Sequence, residues 1–241
     1  MASDKFTLKE ICSEFDIKTD IEAYGNGHIN DTYLCDTAPR FILQRLNTNV
    51  FKDPVSVMEN IVNVTEHLSK KITAAGGDPL RETLTVIPTK SGCSYFKADE
   101  NNYFRMYKFI EDSMSYDLVE DPIQLYHAGT AFGKFQSMLS DFSADRLHET
   151  IVDFHNTPKR VEQLNDAISN NVANRADSVR AEIDFAKEYA KYASAVIDKM
   201  NDGSVPLRVT HNDTKLNNVL FDKETGEGLC VIDLDTVMPG S

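Results

Sequence analysis

The sequence predicts an α+β fold in two lobes: an antiparallel-sheet N-terminal lobe with one helix, then a mainly helical C-terminal lobe carrying a late hairpin. Three observations predict it. Up to Ile110 the chain alternates apolar runs with turn residues, interrupted by one helical pattern. From Asp121 the apolar residues fall at helical spacing, and from Leu207 short strand-like runs return. The boundary is placed in "IEDSMSYDLVED", giving an N-terminal lobe of residues 1–110 and a C-terminal lobe of residues 111–241.

Each element has a local reason. "IEAYGNGHINDTYLC" is apolar, then Gly-rich, then apolar, as expected of two strands joined by a loop, and "RFILQRL" follows as a third strand. In the next segment Val57, Ile61, Val64, Leu68 and Ile72 recur at helical spacing. Asp53 suits the N-cap, Pro54 the first helical position, and Gly76 and Gly77 the end. "ETLTVIPT", "CSYFKA" and "YFRMYKFIE" resume the strands. A second Asp-Pro opens "DPIQLYHAGTAFGKFQSML", with Gln124 where a capping-box partner belongs. "TPKRVEQLNDAISNNV" and "SVRAEIDFAKEYAKYASAVIDKM" read as two more helices, and "LRVTH", "VLFD" and "LCVIDLD" as short strands.

The net charge of −13 is uneven: 13 basic and 15 acidic residues lie up to Ile110, 12 and 23 beyond it. A nucleic-acid groove or an anionic membrane needs clustered Lys and Arg, so neither is expected as a partner. The four cysteines are scattered without a Cys-x-x-Cys pair, which argues for reduced, mostly buried thiols. The N-terminal stretch has neither a basic nor an apolar leader segment, and no run approaches a membrane span. The expectation is a soluble, cytoplasmic protein.

The densest chemistry lies in "HNDTKLNNVLFD", His211 to Asp222, directly ahead of a strand. Taking "VLFD" and "LCVI" as strands around "KETGEG", pairing Asp222 with Leu229 sets Val219 opposite Ile232 and Asn218 opposite Asp233. Opposed residues of an antiparallel ladder share a face, with Cα atoms roughly 4.5–5.5 Å apart. An amide oxygen and a carboxylate brought together suit Mg²⁺, which takes few protein ligands and completes its shell with phosphates. Asp213, on the loop entering the hairpin, would hold an attacking hydroxyl beside that metal. Taken alone, Asn217-Asn218 would equally be a turn.

His211, Asp213, Asn218 and Asp233 together resemble the catalytic and metal-binding segments of the kinase superfamily: a His-x-Asp, an Asn five residues after the Asp, and an Asp beyond the second strand. "DLD" stands where protein kinases carry Asp-Phe-Gly, similar to small-molecule kinases of the aminoglycoside phosphotransferase type. "AYGNGHINDTYL", "FILQRLNTNVFKDPVSVMENI" and "DLDTVMPG" resemble the N-acetylhexosamine 1-kinases of that group. The resemblance covers most of the chain and implies a protein-kinase-like two-lobe fold that uses ATP and Mg²⁺. It assigns catalysis to Asp213 and metal binding to Asn218 and Asp233, with Asp235 binding either metal or sugar. Strand alternation sets Asp235 on the same face as Asp233.

The same resemblance implies a phosphate loop at Gly25, Asn26, Gly27 and His28, where glycines let backbone N–H groups approach phosphate oxygens. His28 is either loop surface or a contact to the sugar. The strand "FILQRLN" lacks the phosphate-binding Lys of protein kinases and offers Gln44 or Arg45 on opposite faces. Arg45 is the expected phosphate contact, so Arg45→Ala is expected to raise the ATP requirement more than Gln44→Ala. Glu59 is either its counter-ion or an exposed helix residue. Tyr107, Lys108 and Phe109 occupy the lobe-linking segment and either pair with the adenine edge or fill the strand core.

The implied reaction moves the γ-phosphoryl group of ATP to a small-molecule hydroxyl, the anomeric hydroxyl of N-acetylglucosamine or N-acetylgalactosamine. Rival expectations are an aminoglycoside, choline or homoserine acceptor, which the acidic second half suits, and a nucleotide-binding module without catalysis. Kinases of the resembled group continue through further helices beyond "DLDTVMPG". The chain is therefore expected to lack part of the acceptor pocket, to bind Mg-ATP with little transfer, and to self-associate through uncovered helix faces.

Overall fold

The computed structural model describes residues 6–25 and 29–241. The chain divides into two compact units, one of Met1–Ile151 with Val209–Pro239 and one of Val152–Arg208 with Gly240–Ser241. The first opens with helix α1 (Leu8–Ser13), held by a reciprocal cap in which the Thr7 hydroxyl accepts from the Glu10 N–H and the Glu10 carboxylate from the Thr7 N–H. Strands β1 (Ile21–Ala23), β2 (Asp31–Cys35) and β3 (Phe41–Asn47) lead to helix α2 (Pro54–Ala74). Asp53 caps α2 by accepting from the Ser56 N–H, and Pro54 occupies its first turn, as the sequence predicts. A short helix α3 (Pro79–Glu82) precedes β4 (Val86–Ile87), β5 (Phe96–Lys97), β6 (Asn102–Lys108) and β7 (Ser113–Met114).

The sheet runs β1-β2-β3-β6-β4, with β5 also on β6 and every pairing antiparallel. Its two faces bury different partners. On one, Leu43, Phe104 and Met106 pack with Ile11 and Cys12 of α1 and with Phe15. On the other, Leu46, Tyr103 and Tyr107 pack with the apolar stripe Val57, Ile61, Val64, Leu68 and Ile72 of α2. Each such side chain contributes roughly 1.5–3 kcal/mol by leaving water. The sheet's two sides are thereby fixed by which helix each one covers.

Helix α4 (Pro122–Met138) begins at the predicted capping box of Asp121 and Gln124. It lies against the hairpin of β9 (Val219–Asp222) and β10 (Gly228–Val231). The hairpin register differs from the one the sequence suggests. The Asp222 N–H donates to the Glu227 carbonyl at 2.9 Å, and its carboxylate accepts from the N–H groups of Glu224 and Thr225, which tightens the turn. Phe221 then pairs with Gly228, a bulge follows at Leu229, and Val219 pairs with Val231.

Gly228 has a steric reason to be Gly. A Cβ there would lie 2.7 Å from the His127 carbonyl oxygen and 2.8 Å from the Ala131 Cβ of α4. Gly228→Ala is expected to destabilise the first unit by about 1–3 kcal/mol, read as a lowered midpoint in urea unfolding. An unchanged midpoint would mean that α4 yields freely.

The second unit holds helices α5 (Thr157–Asn170), α6 (Arg180–Tyr189) and α7 (Ala195–Asn201). The single helix expected over "SVRAEIDFAKEYAKYASAVIDKM" is broken by a 3-10 turn at Ala190–Tyr192. Ile183 is buried, whereas Phe185, Tyr189 and Tyr192 form a largely exposed aromatic row. Strands β8 (Arg208–Thr210) and β11 (Met238–Gly240) pair in a two-stranded ladder. Among the described residues, no helix is long and apolar enough to cross a membrane.

Candidate active site

The stretch from Thr210 to Asn218 is held by internal hydrogen bonds. His211 is buried at 1% exposure, with Nε2 at 2.9 Å from the Ile232 carbonyl and Nδ1 accepting from the Asp213 N–H at 3.3 Å. Those partners require the neutral tautomer with its proton on Nε2. Burial, the largest influence on this imidazole, lowers its pKa and keeps it neutral. The Thr236 hydroxyl donates to the His211 carbonyl at 2.7 Å, and the Asn212 amide donates to the Thr236 carbonyl at 2.9 Å. Together these bonds tie the loop to the segment following β10.

Asp213 and Asn218 meet directly. The Asn218 side-chain amide donates to the Asp213 carbonyl at 2.9 Å and to Asp213 Oδ2 at 3.1 Å. Lys215 forms an ion pair with the same Oδ2 at 2.9 Å. On the other side, the Asn218 carbonyl accepts from the Ile232 N–H at 2.9 Å, setting Asn218 beside the residue that precedes Asp233. Asp213, Asn218 and the Asp233 segment are therefore contiguous, although the route differs from the ladder pairing the sequence suggests.

Asp233 leaves the strand in a left-handed conformation, φ 58°, and Leu234–Thr236 form a 3-10 turn. The strand alternation expected to set Asp233 and Asp235 on one face does not extend to them. Burial first, and the neighbouring Asp235 charge second, raise the Asp233 carboxyl to about 6. Asp235 is buried at 1% exposure. Its Oδ1 is ion-paired with Arg105 of β6, and its Oδ2 accepts from the Asn30 amide at 2.7 Å. The Asp235 backbone carbonyl accepts the Thr150 hydroxyl at 2.8 Å.

The N-terminal residues separate into those near this segment and those away from it. Gln44 Oε1 accepts from Arg105 Nε and Nη2 at 3.0 and 2.9 Å, because Gln44 and Arg105 are cross-strand partners on one face of the sheet. Arg45 lies on the opposite face, half-exposed. There its Nε donates to Asp31 at 2.7 Å and its Nη1 to Asn102 at 3.2 Å. This corrects the strand-face assignment: the α2 side of β3 carries Gln44. Arg45→Ala is accordingly expected to shift stability by no more than about 1 kcal/mol. In nucleotide titrations it should weaken binding less than Gln44→Ala, and the reverse ranking would restore Arg45 as the phosphate contact.

Glu59 does not meet Arg45. It is exposed and pairs with His148 at 2.7 Å, while its neighbour Asn60 is buried and bonds the His148 and Val237 carbonyls. Tyr107 is buried in the core, where desolvation raises its phenol pKa. The Phe109 N–H donates to the Arg40 carbonyl and the Lys108 N–H to the Thr85 carbonyl, so both backbone donors are already engaged. The Phe109 ring lies under the Arg40 guanidinium at 4.1 Å. Gly25 has φ +74°, the left-handed region that glycine tolerates, whereas Asn26, Gly27 and His28 lie outside the described residues.

Four participants escaped the sequence reading: Arg105, Asn30, Lys215 and Thr236. Arg105 had a signal, since a cation inside the apolar strand "NYFRMYK" must find a buried partner.

Among solved structures, a spectinomycin phosphotransferase in complex with ADP and spectinomycin matches with a TM-score of 0.55 at 14% identity, over 96% of this chain and 69% of that one. An aminoglycoside phosphotransferase in complex with GDP and kanamycin matches with a TM-score of 0.58 at 15% identity, over 95% and 71%. A microcompartment-associated aminopropanol kinase gives 0.55 at 14% identity, over 97% and 70%. These likenesses establish a protein-kinase-like fold. Residues 20–241 match the phosphotransferase enzyme family, APH, and the chain belongs to that family.

Proposed function

We propose that this chain binds ATP with Mg²⁺ and transfers the γ-phosphoryl group to a small-molecule hydroxyl, the anomeric hydroxyl of an N-acetylhexosamine. The observation that carries the reading is the contact of Asn218 with Asp213 on one side and with the Asp233 segment on the other. A potential base and two hard oxygen donors thus belong to one connected element.

The residues suit a divalent cation. The Asn218 amide nitrogen is occupied by Asp213, which turns Oδ1 into the group left to ligate. Asp233 is crowded by a second carboxylate, and a cation would relieve that crowding. Among the described residues, no three His, Cys, Asp or Glu side chains gather as a metal cage. Few protein ligands completed by substrate phosphates is the coordination style of Mg²⁺. Bound there, Mg²⁺ would neutralise phosphate charge during transfer.

The protein's own part is positioning and proton transfer. Asp213 accepts the acceptor's hydroxyl proton as that oxygen bonds the γ-phosphorus and the bond from phosphorus to the β-phosphate oxygen breaks, releasing ADP. His211 holds the Asp213 backbone N–H, and Asn218 and Lys215 hold its carboxylate, so the base is oriented before the acceptor arrives. The anomeric hydroxyl is more acidic than other sugar hydroxyls, which fits a carboxylate base.

A second reading has its own support. The excess of 23 acidic over 12 basic residues after Ile110 suits a cationic acceptor, and the similar structures include a kanamycin complex and an aminopropanol kinase. ADP release measured with N-acetylhexosamines, aminoglycosides, choline and homoserine separates the readings. Saturable release with N-acetylglucosamine or N-acetylgalactosamine is the expected result. Release with the amines alone would replace the acceptor, and nucleotide binding without release would reduce the chain to a nucleotide-binding module.

A further inference from the structure

Asp235 is buried, and each of its carboxylate oxygens already has a partner. Oδ1 is held by Arg105 and Oδ2 by Asn30. Arg105 is itself 1% exposed and gripped from behind by Gln44, whose amide nitrogen donates to the Thr32 hydroxyl on β2 at 3.0 Å. Asn30 directly precedes β2. Its Oδ1 accepts from the Asn47 N–H at 3.0 Å, and the Asn47 amide reaches the Ile29 carbonyl at 3.0 Å. The hydrogen bonds run unbroken from β2 through β3 and β6 to Asp235, and back to Asn30 ahead of β2. Two residues before Asp235 stands Asp233.

We infer that Asp235 is not a ligand for metal or acceptor but a positioning residue: with Arg105 and Asn30 it forms a buried strut that fixes Asn30, just ahead of β2, against the Asp233 segment. The inference rests on the nucleotide-binding reading above. Three features favour a strut over ordinary core packing. The pair is charged, so it holds only one geometry well, since misplacing either group leaves a buried charge unmatched. The guanidinium donates in its own plane to two different acceptors, which fixes direction as well as distance. The last contact, Asn30 to Asp235, joins residues 205 positions apart, so the placement of Asn30 depends on a distant part of the chain. Arg105 also brings to β6 a cation that β3 does not present on this face.

Two variants and two probes test the inference. Asn30→Ala cuts the tether and leaves the ion pair in place. Arg105→Met/Asp235→Leu replaces the pair with apolar groups of similar size, an exchange that buried ion pairs often tolerate. Calorimetric titration with ADP and with AMP-PNP, each with Mg²⁺, is compared with thermal melting of the same samples. The expected result is affinity weakened about ten- to a hundredfold in both variants, with Asn30→Ala melting close to wild type. Where turnover is measurable, the nucleotide KM rises and the acceptor KM holds. Wild-type affinity in Asn30→Ala overturns the strut and leaves the nucleotide-binding reading standing. A rise in acceptor KM alone overturns it in favour of an acceptor contact. A wild-type chain that binds neither probe ends both.

Discussion

Asp213→Asn is expected to reduce turnover by about 10²–10⁴-fold, the usual worth of a positioned general base, while Mg-ATP affinity stays near the wild-type value. The amide keeps the shape of the carboxylate and can still meet Asn218, so the loop should hold. What disappears, on the proposed mechanism, is the site that takes the acceptor's proton. The lost ion pair to Lys215 is half-exposed and worth no more than about 1 kcal/mol. Steady-state kinetics and nucleotide titration on the same protein give both numbers. Equal loss of nucleotide affinity in Asp213→Asn and Asp233→Asn would dissolve the division of labour between base and metal ligand.

Asp233→Asn should produce two effects of opposite sign. Without a cation, the folded protein holds this carboxyl at about 6 against an ordinary 3.8. A raised folded pKa means that the unfolded chain ionises more readily. The contribution is neutral below about pH 4, becomes destabilising as pH climbs toward 6, and remains so above. Removing the charge should therefore stabilise the apoprotein at pH 7 by about 1–3 kcal/mol. Asn also tolerates the left-handed backbone of this position, φ 58°, so the substitution adds little strain. Mg-nucleotide affinity should fall sharply in the same variant. Chemical denaturation with and without Mg-ADP reads both effects, and a less stable apoprotein would show that the crowding of Asp233 is not real.

Features written locally were legible from the residues. Asp53-Pro54 and Asp121-Pro122, with Gln124 following, specify helix starts that the fold uses. Thr7 and Glu10 carry an equally local signal for α1, but six residues are too few for apolar periodicity to declare a helix. The hairpin register was not legible, because the bulge at Leu229 accompanies Gly228 meeting the His127 carbonyl of a distant helix. Alternation separates Gln44 from Arg45, yet it cannot say which faces α2. That choice is made by Leu43 packing toward α1 and Leu46 toward α2. Arg105 became intelligible only through its cross-strand pairing with Gln44.

The locked imidazole of His211 has a consequence for how the protein responds to acid. Its folded pKa is lowered by burial, so the unfolded chain takes up a proton first, and the stability this group supplies is lost as pH falls below about 6.5. Asp233 acts in the reverse direction over much of the same interval, losing stability as pH rises. In the cation-free protein these two contributions oppose each other, on top of the acid-side losses from carboxyls held low by their partners, such as Asp53 and Glu111. A divalent cation that occupies Asp233 would remove one slope and leave the other. Acid sensitivity should then increase on loading, so a melting temperature that falls more steeply toward acid when Mg-nucleotide is added would report occupancy without any assay of turnover.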